Sequence, residues 1–325
     1  LWSIGIPNSV MRIGERAFIG CRSLKSIVVP DSETKIGDYA FRSCDSMENI
    51  DASNSVTEIS DYAFYGCSSL ESIDIPDGIT EIGKYAFLRC RSLKSIGIPD
   101  SVTEIGEGAF WGCLSLKSID IPNSVTKIAK SAFSKHSSLE SVNVAKNNSV
   151  YKSVDGILYN NKLTSIIHFP SKHSNTSFVI PDSVTKIGND AFYECSSLNS
   201  IDIPDSVTKI GKSSFWGCSS LKSIVIPDSV TEIGKCAFAK CSSLESVDIP
   251  KSVTQIGDNA FRGCCALKNI IIRCKNIEDV VVSQDAFVEV DFNECVLYIP
   301  SGTRWAYRHH PIFGKFKNIV TERFD

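Results

Sequence analysis

No stretch of the 325 residues approaches the roughly 18 uninterrupted apolar positions a membrane-spanning helix needs. Nothing at the start resembles a signal peptide. A net charge of -3 without a basic stripe argues against a nucleic-acid partner. Glycine never clusters into a phosphate-cradling loop and recurs only with the repeat described below. The five histidines are not accompanied by three or four ligands at metal spacing. His309 and His310 near the end, and His168 and His173 near the middle, are therefore read as surface residues, and no cofactor or metal is expected. These absences remove most enzymatic and nucleic-acid classes before any motif is considered.

Cysteine, by contrast, is plentiful: thirteen residues would ordinarily announce a secreted disulfide framework. Their spacing says otherwise. Cys21, Cys44, Cys67, Cys90, Cys113, Cys195, Cys218, Cys241 and Cys264 fall in step with a 23-residue period carried by Phe18, Phe41, Phe64, Phe87, Phe110 and Phe133, which resumes at Phe192, Phe215, Phe238 and Phe261. Each Phe follows Ala or Ser, and most come eleven residues after a Pro. Stacked cysteines about 4.8 Å apart along parallel ladders do not present the converging Cβ vectors a disulfide requires. They are expected to form a column of buried free thiols behaving as small apolar residues. His136 stands in the column once, so a thiol is replaceable there. Cys236, Cys265, Cys274 and Cys295 lie off the column, and their pairing is left open.

A period of this size marks a solenoid, in which each unit touches only its neighbours. Residues 70–92 show the unit. Leu70, Ile73 and Ile75 alternate with outward Ser72 and Asp74, the period-two pattern of a short strand, and Pro76 ends it. Pro76-Asp77-Gly78 reads as a turn. Ile79 and Ile82 mark a second short extended segment, and Lys84 to Arg89 are expected to make one helical turn that drops Ala86 and Phe87 inward. Ala129 and Ser60 occupy the Gly83 position in other units, so a positive φ is not required there. One unit has too few inward side chains to offset the cost of ordering it, so the array must be long and capped. About 13 strand-like segments give about 13 coils in a single elongated domain.

Two regions leave the period. Fifty-nine residues separate Phe133 from Phe192. Val150 to Ile180 holds strand-like stretches at Ile157-Leu158-Tyr159, Ile167-His168-Phe169 and Phe178-Val179-Ile180, with a protruding hairpin turning at Asn160-Asn161. After Phe261 the interval to Phe287 grows to 26. Val296 to Pro300 supply a last strand, and Thr303 to Val320, with Trp305, Tyr307, Pro311, Phe313 and Phe316, close the chain over an otherwise open edge. The expected organisation is repeats over 1–144, an irregular repeat with a hairpin-like insertion over 145–180, repeats over 181–272, and a degenerate repeat with a cap over 273–325. Leu1 takes the place of Leu24 one unit later, so the chain is expected to open in mid-unit, with an export signal or anchor upstream.

The unit I-P-x-S-V-T-x-I-G-x-x-A-F-x-x-C-x-x-L-x-x-I at Ile98 to Ile119 resembles the BspA-like leucine-rich repeats of bacterial surface proteins, found also in some protists. The ending resembles the cap of Bacteroidetes members. The resemblance implies an α/β-class, right-handed, curved leucine-rich-repeat solenoid of short strands and helical turns, with the L-x-x-I-x-I strand on the concave side. It further implies an extracellular or cell-surface location, an adhesin-like role binding host or bacterial macromolecules, and no catalytic residues.

Candidate binding residues are the outward strand positions: Ser72, Ser95, Ser118, Ser141, Ser200, Ser223 and Ser246, and beside them Asp51, Asp74, Asp120, Asn143, Asp202 and Asp248. Neighbouring coils bring such side chains within about 5 Å. They make either a mildly acidic groove or simply the solvating skin of a sheet. Asp51 and Asp74 have the oxygen ligands for a shared Ca²⁺, but Gly97 and Val225 break the column. A second surface comprises Tyr62, Tyr65, Tyr85, Trp111, Tyr193 and Trp216, which either meet a partner or pack over adjacent coils. Glu58, Glu81 and Glu104, followed by Lys127, Lys186 and Lys209, line one flank and read as a solvated face. The expected function is non-enzymatic recognition of a protein partner, with a glycan-binding module or a passive stalk as alternatives. Membrane insertion is not expected.

Overall fold

The structure is a computed structural model that describes residues 2–29, 34–52, 56–136 and 138–324. Leu1, on which the mid-unit start was read, lies outside them. Two compact units, 1–161 and 162–325, are each a β-solenoid built from the 23-residue coil.

In the first unit the L-x-x-I-x-I segments form parallel strands at Ser3–Gly5, Ser26–Val29, Asn49–Ala52, Ser72–Asp74, Ser95–Gly97, Ser118–Ile121 and Ser141–Val144. Pairing is in strict register, with Ser72 opposite Ser95 and Ile73 opposite Ile96. The second apolar pair of each coil makes a shorter strand, and six of these, from Arg12–Ile13 to Lys127–Ile128, form one parallel sheet. The second unit repeats the plan, its first strands running from Ser177–Val179 to Asn318–Glu322. Alternation decides which side chains go inward. Ile73 is buried while Ser72 and Asp74 on either side are exposed.

The Pro-Asp-Gly turn forms as read, with the Ile79 amide donating to the Pro76 carbonyl at 3.1 Å. The expected helical turn over Lys84 to Arg89 does not. The segment is instead a chain of overlapping turns, with Ala86 N bonded to Gly83 O at 3.3 Å and Leu88 N to Tyr85 O at 3.1 Å. Tyr85 (φ 54°) and Arg89 (φ 61°) are left-handed, and this reversal of handedness is what stops a helix from propagating. It also turns the remaining peptide groups along the stack. Tyr62 N, Phe64 N and Gly66 N each donate at 2.8 Å to Lys84 O, Ala86 O and Leu88 O of the following coil, a third ladder that absorbs the buried backbone groups. The Gly83 position does not need positive φ. Its constraint is space, since a Cβ there would sit 2.5 Å from the Ser60 carbonyl carbon. Among the described residues the only α-helix is Arg304–His309, beside short 3-10 turns at Ile277–Asp279 and Phe313–Lys315.

Phenylalanines form the axis of each core. Phe41 and Phe64 stack with centroids 5.4 Å apart and rings 1° from parallel, and Phe215 and Phe238 do so at 5.1 Å and 1°. In the second unit the column begins at Phe169, stacked on Phe192 at 5.0 Å, not at Phe192. Phe169 stands 23 residues before Phe192 but lacks the Ala and Cys that mark the others, so it reads as part of a strand. The strand is Ser165–His168. Its alternation turns His168 inward, and His173 packs on the Phe169 ring at 4.9 Å. Both histidines are buried, not on the surface as expected; His309 is exposed and His310 partly so. The three extra residues before Phe287 are absorbed around Ile277–Asp279, and Phe287 still stacks on Phe261 at 5.2 Å.

Eight column thiols are buried and donate hydrogen bonds to the Phe carbonyl of the preceding coil, as from Cys90 Sγ to Phe64 O at 3.2 Å and Cys218 Sγ to Phe192 O at 3.2 Å. They are thus donors as well as apolar filling. Cys21 is exposed, because no earlier coil among the described residues covers it. All thirteen cysteines are free, including buried Cys274 and Cys295 off the column.

The irregular region of the first unit is a hairpin, Tyr151–Val154 against Ile157–Asn160. Its turn is Asp155-Gly156, not Asn160-Asn161. Both turn residues have positive φ, 50° and 78°, as a type I′ turn demands. The hairpin does not protrude. Ile157, Leu158 and Tyr159 are buried, and Val142 N donates to Gly156 O at 2.8 Å. Asn148 anchors it, donating to Pro122 O at 2.8 Å and Val125 O at 2.9 Å while accepting from Val150 N and Tyr151 N. At the other end, Val296–Pro300 is a strand as read but not the last, for Asn318–Glu322 pairs with it in parallel. Tyr307 is buried and donates to Cys274 O at 2.7 Å, and Phe313 meets Phe287 edge-on.

Candidate functional site

The first-strand face carries the outward candidates. Ser72, Asp74, Ser95, Ser118, Asp120 and Asn143 are exposed in the first unit and Ser141 half-buried; Ser200, Asp202 and Ser223 are exposed in the second, with Ser246 and Asp248 half-buried. Coil-to-coil spacing lets equivalent polar groups bond one another: Ser26 Oγ donates to Ser3 Oγ at 2.9 Å, Ser200 Oγ to Ser177 Oγ at 2.9 Å, and Asn143 Nδ2 to Asp120 Oδ1 at 2.8 Å. Lys25–Glu48, Lys94–Glu71 and Lys268–Glu245 pair at 2.9 Å along the edge of this face.

Apolar side chains interrupt the row. Val179 and Val225 take the place of the aspartates and are 68% and 67% exposed. Beyond Asp248 the same column continues in register as Ile271, Tyr298 and Val320. The face of the second unit is therefore mixed polar and apolar. It dips into a cavity of about 560 Å³ lined by Asp205, Val225, Pro227, Asp228, Asp248 and Arg273, where Arg273 grips Asp248 through two bonds at 2.8 and 2.7 Å.

The flank charges line up across the second strands, Glu104 opposite both Glu81 and Lys127. Lys35–Glu58 at 3.4 Å and Lys127–Glu104 at 2.7 Å close the ends of the acidic run. The carboxylates of the adjoining depression are engaged by backbone: Asp61 Oδ1 accepts from Lys84 N at 2.7 Å and Asp38 Oδ1 from Asp61 N at 3.1 Å. Among the described residues no three His, Cys, Asp or Glu side chains are grouped to hold a metal ion.

The aromatic candidates are half-buried in the turns. Tyr39, Tyr62 and Tyr85 stack at 4.7 and 5.0 Å, Tyr65 meets Tyr62 edge-on, and Trp111 lies 6.2 Å from Tyr85. Arg42 covers Tyr65 at 4.9 Å and Arg16 covers Tyr39 at 5.4 Å. In the second unit Tyr193 and Trp216 stack at 4.6 Å, with the Lys240 ammonium 5.0 Å from Trp216. Ring faces are turned to each other and to cations. Tyr39 was missed by the sequence reading although it stands one period before Tyr62.

Burial pushes Cys44 up to about 12 and Cys90 and Cys218 well above the ordinary thiol value, leaving them protonated and poor nucleophiles. No helix among the described residues is long and apolar enough to cross a membrane.

Comparison with known proteins agrees with this architecture. A family model described as the BspA type leucine rich repeat region (6 copies) matches three overlapping stretches, residues 1–90, 57–175 and 168–290. A leucine rich cell surface protein from Faecalibacterium prausnitzii A2-165 shares 35% identity over all of this chain and 83% of its own, with a TM-score of 0.83. The pneumococcal vaccine antigen PcpA is 24% identical over 99% of this chain and 79% of its own, with a TM-score of 0.70, and a leucine-rich repeat protein from Eubacterium ventriosum is 22% identical over 99% and 84%, with a TM-score of 0.64; these two show the fold. No curated protein matches the sequence.

Proposed function

The chain belongs to the BspA-type leucine-rich repeat family, and from that premise we propose that it is a non-enzymatic recognition protein of a bacterial cell surface that binds a protein partner along its first-strand face. The cell-surface description of the Faecalibacterium relative supports the location. The observation that carries the binding reading is the exposure of Val179 and Val225 among Ser177, Ser200, Asp202 and Ser223 on the first-strand face of the second unit. Inward positions answer to packing, whereas these outward ones do not. An exposed mixture of apolar and small polar groups matches the composition of protein interfaces.

The test is affinity capture from envelope and host extracellular protein fractions, followed by a direct dissociation constant for each captured protein. Asp202→Arg with Val225→Arg is expected to weaken that constant at least tenfold while leaving the melting temperature unchanged. Binding that is indifferent to both substitutions would remove this face from consideration.

A further inference from the structure

The repeat's outward pattern is broken most sharply at the end of the second unit. Successive turns read Ile226-Pro227-Asp228-Ser229, Ile249-Pro250-Lys251-Ser252 and Ile272-Arg273-Cys274-Lys275. Lys replaces Asp at 251, Arg replaces Pro at 273, and Lys replaces Ser at 275. None of these changes serves the core, since all three side chains lie outside it. They converge, with Arg323 and Phe324 beyond the final strand, on one cavity of about 640 Å³, which Asp228, Ser301 and Glu322 also line. That volume is in the range of small-molecule sites.

Only Arg273 among these charged groups is held in an ion pair among the described residues, clamped to Asp248 with its guanidinium 5.4 Å from the Phe324 ring. The clamp fixes one wall. Lys251, Lys275 and Arg323 then present three cations, Asp228 and Glu322 two carboxylates, and Phe324 an apolar ring face.

We propose that this cavity binds a sugar acid, a saccharide unit bearing a carboxylate. The ligand's carboxylate meets Lys251, Lys275 and Arg323 in charge-assisted hydrogen bonds. Its hydroxyls donate to Asp228, Glu322 and Ser301, and its C–H face covers Phe324, removing apolar surface from water. The acidic wall selects against an acidic peptide, which brings further negative charge and few donors to satisfy Asp228 and Glu322. This cavity adjoins the face proposed above for a protein partner and shares Asp228 and Arg273 with its depression. Lys251, Lys275 and Arg323 line only this cavity and Val225 only the other, so substitutions there test the two readings apart.

The experiment is saturation-transfer NMR and calorimetric titration of the full chain with glucuronate and with N-acetylneuraminate, against glucose, acetate and tetraglutamate. At least one sugar acid is expected to bind saturably and tenfold or more tighter than glucose or acetate. The double variant Lys275→Glu, Arg323→Glu is expected to weaken it tenfold at unchanged melting temperature, and Glu322→Gln to weaken it several-fold by losing a hydroxyl acceptor. Which sugar acid binds tighter identifies a uronate-type or a sialate-type source. Equal binding of acetate, stronger binding of tetraglutamate, no saturable binding of either sugar acid, or indifference to the double variant would each overturn the proposal.

Discussion

The ring of Tyr85 occupies the place a side chain on Gly108 would need: a Cβ added there would lie 2.3 Å from Tyr85 Cε1. Tyr39, Tyr62 and Tyr85 hold the same left-handed position in successive coils, and Gly108 (φ 57°) holds it in the next. The aromatic row ends where one coil gives up its side chain to admit the ring of another.

Gly108→Ala is therefore expected to cost about 1–3 kcal/mol, combining the left-handed penalty with displacement of a stacked ring. Gly5→Ala, with ordinary φ and open space around it, is the control and should be near neutral. Denaturant melts of the two variants check the difference.

Asn148 sits where the repeat puts Val102 and Val125, and an apolar residue there would look like a repair. Asn148→Val is instead expected to destabilise by about 2–3 kcal/mol, because the Val125 carbonyl and the Tyr151 amide would lose the Asn148 side chain as partner at buried positions. Hydrogen exchange should show the loss concentrated in the hairpin 151–160.

Thiol reactivity should divide the cysteines by burial. In the native protein at pH 8, Cys21, Cys236 and Cys265 are expected to react with a chromogenic disulfide and the ten buried thiols to remain silent until unfolding. Burial holds Cys44 and Cys295 near 12, against an ordinary 9.0. The unfolded chain thus releases these protons first, so stability is intact below pH 9 and falls as pH rises from 9 toward 12. A flat melting temperature across that window would refute the buried column.

His136 works in the opposite range. Burial lowers it from 6.5 to about 4, so its contribution is present above pH 6.5 and is lost as pH falls toward 4, when the unfolded chain takes up the proton. His136→Cys restores the column residue, and the gap in melting temperature between variant and parent should widen in the variant's favour between pH 7 and pH 4.5.

The fold was legible because solenoid packing writes itself at one interval: Phe, Cys and Ile positions must match their neighbours, so the period is the structure. What escaped was where packing accepts substitutes. Phe169 joins the column without its usual companions. Asp155-Gly156 forms the turn that Asn160-Asn161 suggested, because a two-residue hairpin needs positive φ at both positions and a register that keeps Ile157 and Tyr159 buried. The turns around Phe87 defeated a helical reading because left-handed Tyr85 carries no sequence signal. The outward rows were identified by spacing alone, but the cavity at Arg273 was not. It is assembled from coil residues and a tail, Lys275 and Lys251 standing 48 and 72 positions before Arg323, and only three-dimensional proximity reveals that the three belong together.

The 23-residue register has an evolutionary consequence. Excising residues 70–92 joins Ser69 to Leu93 and gives nearly every inward side chain and ladder group a chemically equivalent replacement from the next coil. Whole-coil gains and losses can therefore pass through a genome with little folding penalty, while each one brings a different set of outward residues side by side. Such a gene can rewrite its display by recombination without having to rediscover how to fold.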